Sequence, residues 1–97
     1  MEDAYRVQSA WGDLHRAKGE KVVSHKTGLT SRAMQMAVGI ATPDYGVLTD
    51  AMLIDDGGMI ASDRFITPRF EVELGFKLNA PLARPDVTIF DALNATD

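Results

Sequence analysis

The side chains best suited to chemistry are Glu71 and Glu73, followed by Lys26, Asp44, Arg69, His25 and His15. Glu71 and Glu73 lie within Phe70-Glu71-Val72-Glu73-Leu74-Gly75-Phe76-Lys77-Leu78, where Phe70, Val72, Leu74, Phe76 and Leu78 recur with period two. Side chains alternate across a strand, so this segment predicts one apolar face and an opposite face carrying both glutamates. Their Cβ atoms would then lie about 6.5 to 7 Å apart, where like charges repel. Two readings are open: a solvent-facing side of an edge strand, or a cation or positive group held between the carboxylates. Oxygen donors in a chain without cysteine suit a hard divalent ion such as Mg²⁺ or Mn²⁺ rather than zinc. Such a site wants a third protein oxygen or several waters, and no third carboxylate has a spacing that places it.

The remaining candidates each have a plainer reading beside the chemical one. Arg69 either balances the two glutamates or is surface charge. His15, next to Arg16, reads as a solvated group on a helix surface. His25 and Lys26 are neighbours on a short strand and so point to opposite sides, which argues against an adjacent acid-base pair. A lone lysine is ordinarily a solvated stem, but a glycine turn, Thr27-Gly28, follows Lys26 directly. Asp44 is most simply a turn residue after Pro43. Met34, Met36, Met52 and Met59 read as core fillers rather than as a cofactor site.

The elements that must position these groups follow from periodicity and breakers. Residues 2–18 predict a helix with Ala4, Val7, Trp11, Leu14 and Ala17 along one stripe, Gln8 among the water-facing positions, and Gly19 as the stop. Gly12 either weakens that helix or lets a neighbour approach. Residues 21–26 predict a short strand, 27–30 a turn, and Arg32–Val38 a helix capped by Thr30 or Ser31 and closed by Gly39. Residues 42–46 predict a turn around Pro43, and Val47-Leu48 the start of another strand. Asp55-Asp56-Gly57-Gly58 is a turn signal, and Met59-Ile60 a short extended piece. Pro68 suits the entrance to the segment 70–78. Thr88 and Asp91 have part of a capping-box spacing before Ile89, Phe90 and Leu93. That last apolar face has barely formed at Asp97, so the expected class is α+β, as the front part of a larger protein.

Composition bounds the partners. A chain of 97 residues with 45% hydrophobic and 25% charged residues is that of a folded domain rather than a disordered segment. At this length it buries only about 60 to 65% of its unfolded surface, so its own core is marginal. The absence of cysteine excludes disulfides, thiolate catalysis and cysteine-ligated metal centres. A net charge of -4, with ten scattered basic residues, argues against nucleic acid and against a membrane surface. No apolar run approaches about 18 residues. With no basic-then-apolar leader, a cytoplasmic location is expected.

Three ordered stretches carry a family resemblance. Lys26-Thr27-Gly28-Leu29-Thr30-Ser31, Pro43-Asp44-Tyr45-Gly46-Val47-Leu48 and Pro68-Arg69-Phe70-Glu71-Val72-Glu73-Leu74-Gly75-Phe76 together resemble the 2-keto-4-pentenoate hydratase family of the fumarylacetoacetate hydrolase superfamily. Glu2-Asp3-Ala4-Tyr5, Ala33-Met34-Gln35, Thr67-Pro68-Arg69 and the ending Phe90-Asp91 to Asp97 look most like its 2-oxohept-4-ene-1,7-dioate hydratase branch. The resemblance implies that residues 1–97 are a single, incomplete N-terminal portion of a larger catalytic chain with a mixed, β-rich fold, assembled as a homo-oligomer. It implies Glu71 and Glu73 as two ligands of Mg²⁺ or Mn²⁺, with a third glutamate beyond residue 97, and Lys26 and Asp44 as catalytic groups. Thr27 stands where the family usually has isoleucine or valine, and Thr49-Asp50-Ala51-Met52 where it has Asp-Asp-Met. The implied reaction is water addition to a 2-hydroxyalka-2,4-dienoate in aromatic-compound catabolism. The sister 4-oxalocrotonate decarboxylase shares these motifs. A metal-free structural or interaction module, with Glu71 and Glu73 as plain surface charges, is the alternative from another class. The 97 residues alone are expected to be inactive.

Overall fold

The computed structural model describes residues 2–97 and divides the chain into two compact units, the first ending at Ala61 and the second covering Ser62–Asp97. The first unit contains α1 (Glu2–Ala17), β1 (Val22–Gly28), α2 (Arg32–Val38), β2 (Asp44–Thr49) and a single 3₁₀ turn, Asp50–Met52. The second contains α3 (Ile89–Asn94). Three α-helices and a two-stranded antiparallel sheet make the described residues α+β.

Helix ends follow their caps. Gly19, at φ 93°, closes α1 with paired bonds from Gly19 N to Arg16 O (2.9 Å) and from Glu20 N to His15 O (3.2 Å). Only glycine reaches this left-handed conformation at little cost, and the two bonds turn the chain sharply back. Ser31, rather than Thr30, caps α2 by accepting from Met34 N at 3.2 Å, and Gly39 ends it. The incomplete signal at Thr88 is a full capping box. Thr88 Oγ1 accepts from Asp91 N at 3.2 Å, and Asp91 Oδ2 accepts from Thr88 N at 2.8 Å. A carboxylate one methylene shorter than glutamate still closes it.

The face that α1 presents to the sheet differs from the expected one. Val7, Trp11 and Leu14 are exposed. The positions that meet β2 are Tyr5, Gln8 and Gly12, a 3-4 spacing that is equally helical. Tyr5 stacks on Tyr45 with centroids 4.9 Å apart, and Gln8 Nε2 donates to Tyr45 O at 2.9 Å. Gly12 is buried against Val47. A Cβ placed there would meet Val47 Cγ2 at 3.7 Å, an ordinary contact. Gly12→Ala is therefore expected to stabilise the protein containing this chain by about 0.5–1 kcal/mol, the usual gain over glycine inside a helix. Urea unfolding of the two proteins checks this; a loss of stability would mean that the seam has no room for a methyl group.

Two further expectations are corrected. Asp44, Tyr45 and Gly46 belong to β2, not to a turn, because pairing with β1 draws them into the ladder immediately after Pro43. The same pairing carries β1 on through Thr27 and Gly28. The segment 70–78 is not a strand among the described residues. Its one bridge joins Leu78 to Thr96, with Asn79 N bonded to Ala95 O and Asp97 N to Lys77 O, both at 2.8 Å. Alternation selects an apolar face, but a strand exists only against a partner, and Phe70 and Val72 stand 87% and 103% exposed. No helix is long and apolar enough to cross a membrane among the described residues.

Candidate functional site

The antiparallel register decides which candidates meet. Lys26 pairs with Gly46 and Gly28 with Asp44. Partners across a ladder share a face, as do residues two apart on one strand. Lys26 and Asp44 are therefore diagonal neighbours on one face, with only the glycines at positions 28 and 46 between them. Such diagonals lie about 7–8 Å apart, within joint reach of one small ligand. A depression of about 370 Å³ opens there, lined by Lys26, Gly28, Asp44 and Gly46 among others.

The other face belongs to α1. His25, Thr27, Tyr45 and Val47 share it, which separates His25 from Lys26 as the sequence required. The His25 ring is tilted towards Tyr45 at 6.4 Å. Asp44 also borders a second depression of about 420 Å³, between Tyr5, Gln8, Leu29 and Ile40. The depression beside α2, about 520 Å³, offers Arg32 as its charged side chain and no acid, so it lacks a proton acceptor.

His15 is not a solvated surface group. The backward turn at Gly19 sets Glu20 beside it, and His15 Nδ1 donates to Glu20 Oε1 at 2.7 Å, with both side chains largely covered. Thr49, fully buried at 0% exposure, donates its hydroxyl to Glu20 Oε2 at 2.5 Å. Trp11 lies 4.0 Å from the His15 ring, centroid to centroid. The Thr49 hydroxyl, and after it His15, hold the Glu20 carboxyl below its ordinary range. A carboxyl lowered on folding contributes stability that is present above its unfolded pKa and disappears as pH falls through the folded value. Thr49→Val should therefore lower the melting temperature at neutral pH, and the gap from the parent protein should narrow as the pH falls through the lowered Glu20 value. A gap independent of pH would detach Thr49 from Glu20. This network joins residues 29 apart in sequence, and no local spacing announces it.

In the second unit, Glu71 and Glu73 are exposed on a segment without a ladder, so alternation alone does not hold them on one side. Arg69 is exposed just before them. Among the described residues no three His, Asp or Glu side chains gather as a metal site. The two carboxylates are the donor chemistry of a hard divalent ion, but they form an incomplete set. The residue that sequence reasoning undervalued is Gly28. A Cβ built on it runs into Asp44 Oδ1 and comes within 3.3 Å of Asp44 Cγ.

No family model matches the chain. Its whole length aligns at 54% identity over 97 residues with 2-oxo-hept-4-ene-1,7-dioate hydratase of Escherichia coli, covering 36% of that protein. It aligns at 42% over 98 residues with 2-hydroxypent-2,4-dienoate hydratase of Pseudomonas putida, covering 44% of it. It is also 42% identical over 95 residues to 4-oxalocrotonate decarboxylase of Pseudomonas sp. (strain CF600), covering 36%. Over all 97 residues the chain is thus a homologue of the N-terminal part of proteins named as hydratases, and it spans less than half of their length.

Proposed function

We propose that this chain is the N-terminal portion of a metal-dependent hydratase of the 2-keto-4-pentenoate hydratase family. Its substrate would be a 2-hydroxyalka-2,4-dienoate, or a 2-oxohept-4-ene-1,7-dioate type of acid, in the catabolism of aromatic compounds. The supporting observation is the register that puts Lys26 and Asp44 on one open sheet face, in a chain whose relatives carry hydratase names.

The net reaction adds one water. The hydroxyl goes to C4, while the water proton and the enol proton end on carbon, giving a 4-hydroxy-2-oxo acid without redox change. Lys26 places a positive charge where the substrate's carboxylate or developing enolate gathers negative charge. Asp44, a carboxylate at the mouth of the same depression, orients the water or accepts its proton. Glu71 and Glu73 would hold Mg²⁺ or Mn²⁺ with a third protein oxygen from outside residues 2–97. When bound, that ion would supply positive charge for the substrate's oxygens. The complete protein would adopt a fumarylacetoacetate-hydrolase-like fold as a cytoplasmic homo-oligomer.

The 42% identity to a 4-oxalocrotonate decarboxylase favours one second reading, loss of CO₂ from a related dienol acid. Assaying the full-length protein with both substrate types separates the two. Water addition without CO₂ release is the expected result; CO₂ release without hydration would replace the assignment.

A further inference from the structure

The backbone at the end of β1 is shaped to one side chain on β2. Gly28 and Asp44 are direct partners in the ladder. The Asp44 carboxyl lies over the Gly28 Cα, where any other residue would carry its Cβ; Oδ1 occupies that volume and Cγ would be 3.3 Å from it. The absent side chain is a space requirement rather than a conformational one. Among the described residues, positive φ values fall at Gly19, Gly39 and Gly57 and at Leu29 and Asp86, but not at Gly28.

The chain immediately beyond Gly28 is also fixed. Leu29 takes φ 53°, an uncommon conformation for a leucine. Its carbonyl accepts a 2.7 Å bond from Gln35 Nε2. Gln35 stands on α2, whose first turn is tied by Ser31. The end of β1 is therefore held from the helix side as well as through the ladder. With no side chain at position 28, the Asp44 carboxyl occupies a place that a Cβ on this held backbone would close to it.

We propose that Gly28 is a positioning residue that seats the Asp44 carboxylate beside Lys26. This rests on the assignment of Asp44 to the reaction above and deepens it: the acid works because its strand partner has no side chain. A methyl at position 28 would swing the carboxyl away from its seat while leaving its charge and the Lys26 charge in place. Misplacing a reacting group by about 1 Å can cost on the order of 100-fold in rate.

The test is a double-mutant cycle in the full-length protein, measuring kcat and KM for hydration. Gly28→Ala is expected to lower kcat by about 10- to 100-fold with KM within about threefold. In an Asp44→Asn background the same change should cost less than about twofold, because the group it acts through has already lost its function. Losses that multiply would overturn the proposal, since Gly28 would then act on something other than Asp44. An Asp44→Asn protein with undiminished turnover would overturn the assignment of Asp44, and with it this role. Should Gly28→Ala fail to fold, Gly28→Ala with Asp44→Gly decides the matter. Recovery of folded protein identifies the carboxylate as the group in the way; no recovery overturns the proposed contact.

Discussion

Asp44→Asn in the full-length protein is expected to reduce hydratase turnover by about 10²- to 10⁴-fold, the range for loss of a positioned acid-base group. The substitution keeps the size of the side chain and its seat over Gly28 but removes the charge and the ability to take a proton. KM should stay within about threefold if the group acts mainly in the transition state. Lys26→Met should also lower turnover, by about 10²- to 10³-fold, through loss of the positive charge proposed to stabilise a developing oxyanion. Because the two residues are ladder diagonals on one face, their effects should fall short of multiplying in the double variant. Steady-state kinetics on the three proteins check this. Unchanged turnover in both single variants would remove this sheet face from the reaction.

Much of the first unit is legible in the sequence because its elements carry their own end signals. Gly19, Ser31 and Gly39 mark helix boundaries through backbone geometry that a single residue type satisfies. The packing of α1 is not legible in that way. Apolar periodicity selects Val7, Trp11 and Leu14, whereas the sheet receives Tyr5, Gln8 and Gly12 through stacking, a side chain-to-backbone bond and close approach. None of those depends on an aliphatic side chain, so a hydrophobic pattern passes over them. The meeting of Lys26 and Asp44 is hidden for another reason. Their separation along the chain says nothing about register, and a slip by one residue would send them to opposite faces. Family motifs bring the two together by name; the ladder brings them together in space. For residues 70–78 the sequence specifies an apolar side without specifying a partner. The structure gives that segment one bridge at Leu78.

Glu71→Gln should weaken Mn²⁺ binding by the full-length protein at least about 100-fold, since even groups that merely support a metal ligand are worth about 10- to 100-fold. Glu73→Gln should do the same, and hydratase activity should fall with both. The amide keeps shape and one oxygen but withdraws the charge that makes a carboxylate a ligand for a hard cation. Added Mn²⁺ should raise the melting temperature of the parent protein and not that of either variant, because a ligand stabilises only the state that binds it. The isolated 97 residues should behave like the variants. Among the described residues no three acidic or histidine ligands gather, and Glu71 and Glu73 stand on a segment without a ladder to fix their common side. Mn²⁺ titration followed by thermal melting reads every arm. Equal affinity in parent and variants would make these glutamates plain surface charges. Tight binding by the isolated chain would mean that two carboxylates and water suffice.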